Sequence, residues 1–213
     1  MKIAVCASNK VGYELSNFML SQNYPIEFVL TKQSDEKIIK SVKDSGVDCY
    51  TDFSANCEEF KTLLLEKSID IVFLLWWPDI IKSDVLNKVK IGFVNLHPSY
   101  LPYNRGMHPY YWSVVDETPS GVSIHFITDS VDDGSVICQE KIDTDITMTG
   151  DRLYELSLST IVSLFKNNYE CIVGGDYDLI EQDNNLATFH LAKELDSHSE
   201  IVLDKEYLSL IHI

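Results

Sequence analysis

The run Asn95-Leu96-His97-Pro98 brings a neutral hydrogen-bond donor and a titratable ring into one short stretch. In an extended chain alternate side chains share a face, so Asn95 and His97 point the same way about 7 Å apart while Leu96 points to the other side. Pro98 cannot extend a hydrogen-bonded ladder and turns the chain away, which leaves the amide and the imidazole exposed at a strand's carboxyl end. An Asn amide can donate to a carbonyl oxygen that is gaining charge, and a His, with an ordinary pKa near ~6.5, can carry or exchange a proton. One well-placed donor of this kind lowers a barrier by roughly 3 kcal/mol. The plainer alternative is that both side chains satisfy loop backbone, and the motif in isolation favours it.

Asp132 changes that balance. It lies in the turn Asp132-Asp133-Gly134, after a stretch that carries Ser123, His125 and Asp129. A carboxylate near an imidazole raises the ring's pKa and can take a proton from an attacking amine. The alternative here is an ordinary solvated Asp-Asp-Gly turn. His97, His125 and Asp132 are also residue types that bind zinc, as in a metallohydrolase. No compact ligand motif supports that reading, and Asn95 beside His97 speaks against it.

These residues need a scaffold, and the first two thirds of the chain alternate short apolar runs with longer segments of helical period, the pattern of a parallel sheet with crossover helices. Strands are expected at Ile3 to Ala7, Ile26 to Leu30, Val47 to Tyr50, Ile69 to Leu75 and Lys90 to Val94. Helices are expected at Lys10 to Gln22, from a Ser34 cap through Val42, at Cys57 to Lys67 and at Met107 to Val115. Gly121 to Thr128 and Val136 to Lys141 read as antiparallel neighbours across the Asp132-Asp133-Gly134 turn, and a long helix follows over Arg152 to Val173. After Gly174-Gly175 the chain turns polar. Residues 1–175 are thus read as the catalytic domain and 176–213 as a short C-terminal extension. Trp76-Trp77-Pro78 closes the fourth strand at the end where open α/β sheets bind ligands, although a rigid aromatic corner would look the same.

At 213 residues and 24.3 kDa, with 45% apolar residues, the chain can bury a full core. Its net charge of −16 and pI near 4.6 repel polyanions, so nucleic acid is not an expected partner. The only arginines are Arg105 and Arg152. Cys6, Cys49, Cys57, Cys138 and Cys171 form no CxxC pair and are odd in number, which argues against a disulfide framework or structural zinc and for a reducing cytoplasm. Ile3 to Ala7 is too short for a signal peptide, and no run reaches membrane-spanning length, so no membrane partner is expected. A non-catalytic nucleotide-binding sensor is the rival outside enzymology, and it lacks a GxGxxG or Walker-type loop.

Asn95 to Pro102, then Gly106, Gly121-Val122-Ser123-Ile124-His125-Phe126 and Val131 to Ile137, together resemble in order and spacing the signature of the 10-formyltetrahydrofolate-dependent formyltransferases. The resemblance implies a Rossmann-like formyltransferase fold in the α/β class, with a mostly parallel central sheet, flanking helices and a short C-terminal extension. It implies that Asn95 and His97 polarise a formyl group, and that Asp132 pairs with His97 or relays the amine's proton. Asp132 is preferred to Asp133 because the family's Asp stands two residues before a glycine. The donor, 10-formyltetrahydrofolate, would be held largely by main chain at Leu75, Trp76, Trp77 and Pro78 and at Ile127, Asp129 and Val131, with no metal.

Three branches differ in the acceptor. The glycinamide ribonucleotide branch expects a glycine-rich phosphate loop, whereas Ala7-Ser8-Asn9-Lys10-Val11-Gly12 has one glycine. The methionyl-tRNA branch expects a basic C-terminal domain, and this C-terminus is short and acidic. The branch acting on nucleotide-linked amino sugars is similar in Leu101 to Gly106 and in the tail Thr188-Phe189-His190. It implies acceptor contacts at Ser8, Lys10, Tyr103, Asn104 and Arg105, where Arg105 either grips a phosphate or fixes its loop. Sugar enzymes often continue past the point matching Leu208 to Ile213 into a portion that helps form a dimer or the acceptor site. Either the sequence is truncated or its acceptor site is minimal, with a homodimer as a possible assembly. A formyltetrahydrofolate hydrolase, with water replacing the amine, is the neighbouring alternative.

Overall fold

The computed structural model describes residues 1–22, 25–145 and 147–198. Its elements run β1 (Ile3–Ala7), α1 (Asn9–Ser21), β2 (Ile26–Thr31), α2 (Glu36–Asp44), β3 (Asp48–Tyr50), α3 (Glu58–Glu66), β4 (Ile71–Leu75) and α4 (Ser83–Leu86). They continue with β5 (Gly92–His97), β6 (Arg105–Gly106), α5 (Pro109–Val115), β7 (Gly121–Phe126), β8 (Val136–Lys141), α6 (Gly150–Gly174), β9 (Phe189–His190) and α7 (Ala192–His198). The main sheet has the order β3-β2-β1-β4-β5-β7-β8. The first five strands in that order pair parallel, whereas β7 is antiparallel to both β5 and β8.

Burial on both faces explains why the central strands read as unbroken apolar runs: every residue of β1 and of β4 is buried. Val5 and Phe73 join one core with Val11, Leu15 and Met19 of α1, Ile38 of α2 and Ile161 and Phe165 of α6. Ala4, Cys6 and Leu74 join a second core with Phe60 and Leu64 of α3 and Val85 of α4. Each fully buried Leu, Ile or Phe contributes roughly 1.5–3 kcal/mol relative to exposure. The long helix α6 opens on Thr149, whose hydroxyl accepts the Arg152 N–H at 3.3 Å.

Several boundaries differ from expectation. The α2 cap position is held by Asp35 rather than Ser34, and the Asp35 carboxylate serves another loop instead of its own helix. The fifth strand runs on to His97, because antiparallel pairing with β7 supplies ladder partners as far as His97↔Ser123. The helix expected from Met107 begins at Pro109, after His108 in a left-handed conformation, and the strand expected to reach Thr128 ends at Phe126. α4, β6, β9 and α7 were not anticipated, being short and without a readable period. Of the extension, Ile180 bridges Val136 at the start of β8, and β9 pairs with β6 in a separate two-stranded sheet. Residues 199–213 lie outside the described residues. Among the described residues no helix is long and apolar enough to cross a membrane.

Candidate active site

On β5 the side chains alternate between the two cores. Val94 and Leu96 face the α1–α6 core, and Phe93 faces the α3–α4 core. Asn95 and His97 share Phe93's side, beyond its apolar cover, and the register sets Asn95 opposite His125 and His97 opposite Ser123. Val122 and Ile124 of β7 return to the first core. Four polar side chains therefore replace apolar ones on a single patch of sheet, a consequence of period-two alternation on two paired strands.

Asp132 lies over that patch. Its Oδ2 is 3.6 Å from His97 Nδ1, and its Oδ1 is 3.5 Å from His125 Nε2. The Gly106 N–H donates to Oδ2 at 3.0 Å. The Asn95 amide nitrogen lies 3.3 Å from His125 Nε2, whose other ring nitrogen meets the Phe126 carbonyl at 2.8 Å. Asp133 turns the other way, to Arg105 Nη1 at 2.8 Å. Asp132 adopts φ 50°, a left-handed conformation that costs a non-glycine residue energy and marks a turn held by its surroundings. Gly134 is required two residues on, since a Cβ there would stand 1.9 Å from the Phe126 carbonyl oxygen.

Burial holds the His97 imidazole below its ordinary pKa; Asp132 opposes this, and the His125 ring adds to it. For Asp132 burial is also the largest influence and works against ionisation. It is outweighed by His97, His125 and the Gly106 N–H, so the carboxyl stays well below the usual carboxylate range. The site at neutral pH is an ionised carboxylate against a neutral, nearly dry imidazole. That arrangement can accept a proton from an attacking nucleophile and stabilise the charge it brings.

The other expected residues fall into two groups. Arg105 is buried, with Nε and Nη2 on Gln182 Oε1 at 3.1 and 2.8 Å, Nη2 also on Asn184 Oδ1 at 2.9 Å, and Nη1 on Asp133. Four of its five N–H donors are directed at partners inside the chain, which favours the loop-fixing alternative. Asn104 is buried, its carbonyl 3.2 Å from His97 Nε2, its N–H on Thr188 Oγ1 and its amide on Thr118. Ser8 is buried and donates to Asp35 Oδ2 at 2.7 Å, while Asp35 Oδ1 accepts the Asn9 N–H. Lys10 is exposed and Tyr103 half-buried, so these two remain open to a ligand.

Leu75 is buried, Trp76 and Trp77 are half-buried and Pro78 is exposed, at the carboxyl end of β4. Ile127, half-buried, donates its N–H to the Phe93 carbonyl at 2.8 Å, with Asp129 and Val131 exposed beyond it. The two segments flank β5, and Trp77 and Ile127 pack on the same core. Lys32, which sequence reasoning passed over, stands 4.4 Å from the centre of the Trp77 ring and pairs with Asp79. Among the described residues no three His, Cys, Asp or Glu side chains are grouped to hold a metal ion. Gln182 and Asn184 were also missed, and they lie in a polar stretch with no pattern that marks them.

The description "Formyl transferase" belongs to the family model that matches residues 2–160. The bifunctional polymyxin resistance protein ArnA of Wigglesworthia glossinidia brevipalpis is 29% identical over 164 residues, 73% of this chain and 25% of that protein. Across three curated relatives this chain spans between 25% and 60% of their length. The formyltransferase PseJ of Anoxybacillus kamchatkensis, solved with UDP-4,6-dideoxy-4-formamido-L-AltNAc and tetrahydrofolate, superposes with a TM-score of 0.71 at 24% identity, covering 96% of this chain and 93% of its own. Phosphoribosylglycinamide formyltransferase of Streptococcus pneumoniae gives 0.61 at 29% identity, covering 79% of this chain and 98% of its own.

Proposed function

Because this chain belongs to the formyl transferase family, we propose that it transfers the formyl group of 10-formyltetrahydrofolate to the amine of a nucleotide-linked amino deoxysugar. The observation that carries the chemistry is the Asp132 carboxylate set between two imidazoles at 3.6 and 3.5 Å, with the Asn95 amide on the same strand face. The donor supplies an N-formyl carbonyl whose carbon receives the amine and whose oxygen gains negative charge. Asn95 offers an amide N–H to that charge. His97 receives the proton the amine loses, and Asp132 orients the ring and balances its charge; as the tetrahedral adduct collapses, the bond between the formyl carbon and the donor's nitrogen breaks, and that nitrogen takes the proton back, releasing tetrahydrofolate. Trp76, Trp77, Ile127 and Val131 offer aromatic and apolar surface, and the exposed residues 128–131 offer polar groups beside it, a set that suits a flat heteroaromatic ring.

The sugar acceptor is supported by the extent of the likeness. The neighbour solved with a nucleotide sugar covers 96% of this chain, whereas a glycinamide ribonucleotide transformylase covers 86% and the phosphoribosylglycinamide enzyme 79%. The latter is the more similar in sequence, yet backbone course beyond the shared core bears more directly on what encloses the acceptor. Within this reading Lys10 and Tyr103 approach the acceptor, and Ser8, Asn104 and Arg105 hold the scaffold. A reducing cytoplasm suits the five free thiols.

Incubation with 10-formyltetrahydrofolate and a panel of nucleotide-linked amino sugars, phosphoribosylglycinamide and no acceptor tests the reading through tetrahydrofolate release and product mass. A formylated amino sugar is expected. Turnover confined to phosphoribosylglycinamide, or formate release without acceptor, overturns the sugar assignment.

A further inference from the structure

The left-handed Asp132 turn needs something to hold it, and its main chain is gripped from outside by one side chain. Gln182 Nε2 donates to the Asp132 carbonyl at 2.9 Å and to the Gly134 carbonyl at 2.7 Å. Its Oε1 accepts from Arg105 Nε and Nη2 at 3.1 and 2.8 Å. A carboxamide has two donor hydrogens and two acceptor lone pairs, and all four are used. Its orientation is unambiguous, because exchanging N and O would set an oxygen against two carbonyls and an NH2 against a guanidinium.

Residues on either side of Gln182 are fixed, upstream to the start of β8 and downstream along β6. Ile180 exchanges two backbone hydrogen bonds with Val136, at 2.8 and 2.9 Å. Downstream, the Thr188 carbonyl accepts the Arg105 N–H at 2.9 Å, and the His190 carbonyl accepts the Met107 N–H at 3.0 Å. Gly106 makes the second approach possible, since a Cβ there would lie 2.3 Å from the His190 carbonyl oxygen. The same Gly106 gives its N–H to Asp132 Oδ2. Residues 181–188 thus span the catalytic turn, anchored at both ends, with Gln182 reaching in.

We propose that Gln182 is a positioning residue for the transfer reaction: its carboxamide, backed by Arg105, holds turn 132–134 so that the Asp132 carboxylate stands between His97 and His125. This rests on the reading that Asp132 and His97 carry the transfer. Without the clamp the turn can relax from its strained conformation, and the carboxylate then withdraws from His97 while the donor-binding residues Leu75 to Pro78 at the end of β4 and Ile127 after β7 stay unchanged.

The test uses the full chain with Gln182→Leu, which keeps bulk and loses all four hydrogen bonds, and Gln182→Glu, which keeps the Arg105 contact but turns an oxygen on the two carbonyls. Folding is checked by the amide NMR spectrum. We expect kcat to fall about 30-fold or more in each variant, with KM for 10-formyltetrahydrofolate within about twofold. The His97 ring, followed by NMR, should titrate about one pH unit lower than in the parent, a tenfold loss of proton affinity as its counter-charge withdraws. In an Asp132→Asn background the further change Gln182→Leu should alter kcat less than about twofold. A folded Gln182→Leu protein with parental kcat or an unmoved His97 titration overturns the inference, and if that variant does not fold, Gln182→Glu decides by the same two readouts. Failure of the formyl-transfer reading shows separately, as a parent protein that turns over no acceptor, and the His97 titration then decides alone.

Discussion

Replacing Asp132 by Asn removes one charge and little else. Asn tolerates the left-handed backbone that residue 132 adopts at φ 50°, and its carbonyl oxygen can still accept the Gly106 N–H. What disappears is the attraction between a carboxylate and a ring that gains a proton 3.6 Å away. The two side chains are only 8% and 13% exposed, so solvent screens the pair weakly. At an effective dielectric of about 20 that attraction is about 4.6 kcal/mol. If half of the proton's charge reaches His97 in the transition state, the loss is about 2.3 kcal/mol, or about 50-fold in rate; full transfer gives about 2,500-fold. kcat should therefore fall between about 50- and about 2,500-fold, with KM for the folate within about threefold, measured by tetrahydrofolate release with whichever acceptor supports turnover. Asp133→Asn, which removes only the partner of Arg105 Nη1, should retain most of its turnover. An Asp132→Asn protein that folds as the parent does and works within about tenfold of it would refute the assignment of charge stabilisation to this carboxylate.

Acid should destabilise the fold in two windows. The His97 pKa lies below its ordinary value through burial, so below about pH 6.5 the unfolded chain binds a proton that the folded ring refuses, and stability falls with pH. The Asp132 pKa is depressed despite its burial, so its contribution is present above about pH 3.9 and is lost on further acidification. The urea midpoint should thus be lower at pH 5.5 than at pH 7.5, by a margin that shrinks in His97→Asn; an unchanged margin contradicts the assignment. Gly134→Ala should lose about 2–4 kcal/mol in thermal unfolding, since its methyl group would stand 1.9 Å from the Phe126 carbonyl oxygen. Gly150→Ala, with open space around the new Cβ, should be neutral or gain up to about 1 kcal/mol. Burial pushes the Cys138 thiol up to about 12 and raises Cys6 as well, whereas Cys171 is exposed. A thiol reagent at pH 8 should label Cys171 first and spare Cys6 and Cys138 until the chain unfolds, as read by peptide mass mapping.

The strands and long helices were legible because their signals are local: a period of two or near four, broken by glycine, proline or a cap. Asn95 and His97 were legible for the same reason, since alternation along one strand fixes their common face. His125 needed the antiparallel register with β5, which no stretch of the sequence states. Arg105 could be read as a phosphate grip or a loop brace because its partners Gln182 and Asn184 stand 77 and 79 residues downstream. Asp35 shows the same limit at shorter range. Capping rules favoured Ser34 at the start of α2, but long-range contacts with Ser8 and Asn9 draw the Asp35 side chain to the loop after β1. The hydrogen bonds from Gln182 to the 132–134 turn were invisible for the further reason that β6 and β9 are two residues each, too short to carry a period.

The two histidines look interchangeable in composition and differ in what their nitrogens meet. His125 has the Phe126 carbonyl at one nitrogen, and at the other both the Asn95 amide at 3.3 Å and Asp132 Oδ1 at 3.5 Å, so only the Asn95 amide offers a donor to the lone pair of a neutral ring. His97 faces oxygen on both sides, Asp132 Oδ2 at 3.6 Å and the Asn104 carbonyl at 3.2 Å. Either neutral tautomer then leaves one lone pair aimed at an oxygen, and only the protonated ring can donate to both. Burial opposes that protonation, so the resting ring is neutral but surrounded by the acceptors its cation requires. A proton delivered by an attacking amine would find them already in place, with little reorganisation to pay for at the moment of reaction. Both rings touch Asp132, and what separates them is the Asn95 amide at His125, which has no counterpart at His97; that difference in partner chemistry supports the proposed role of His97 in carrying the proton.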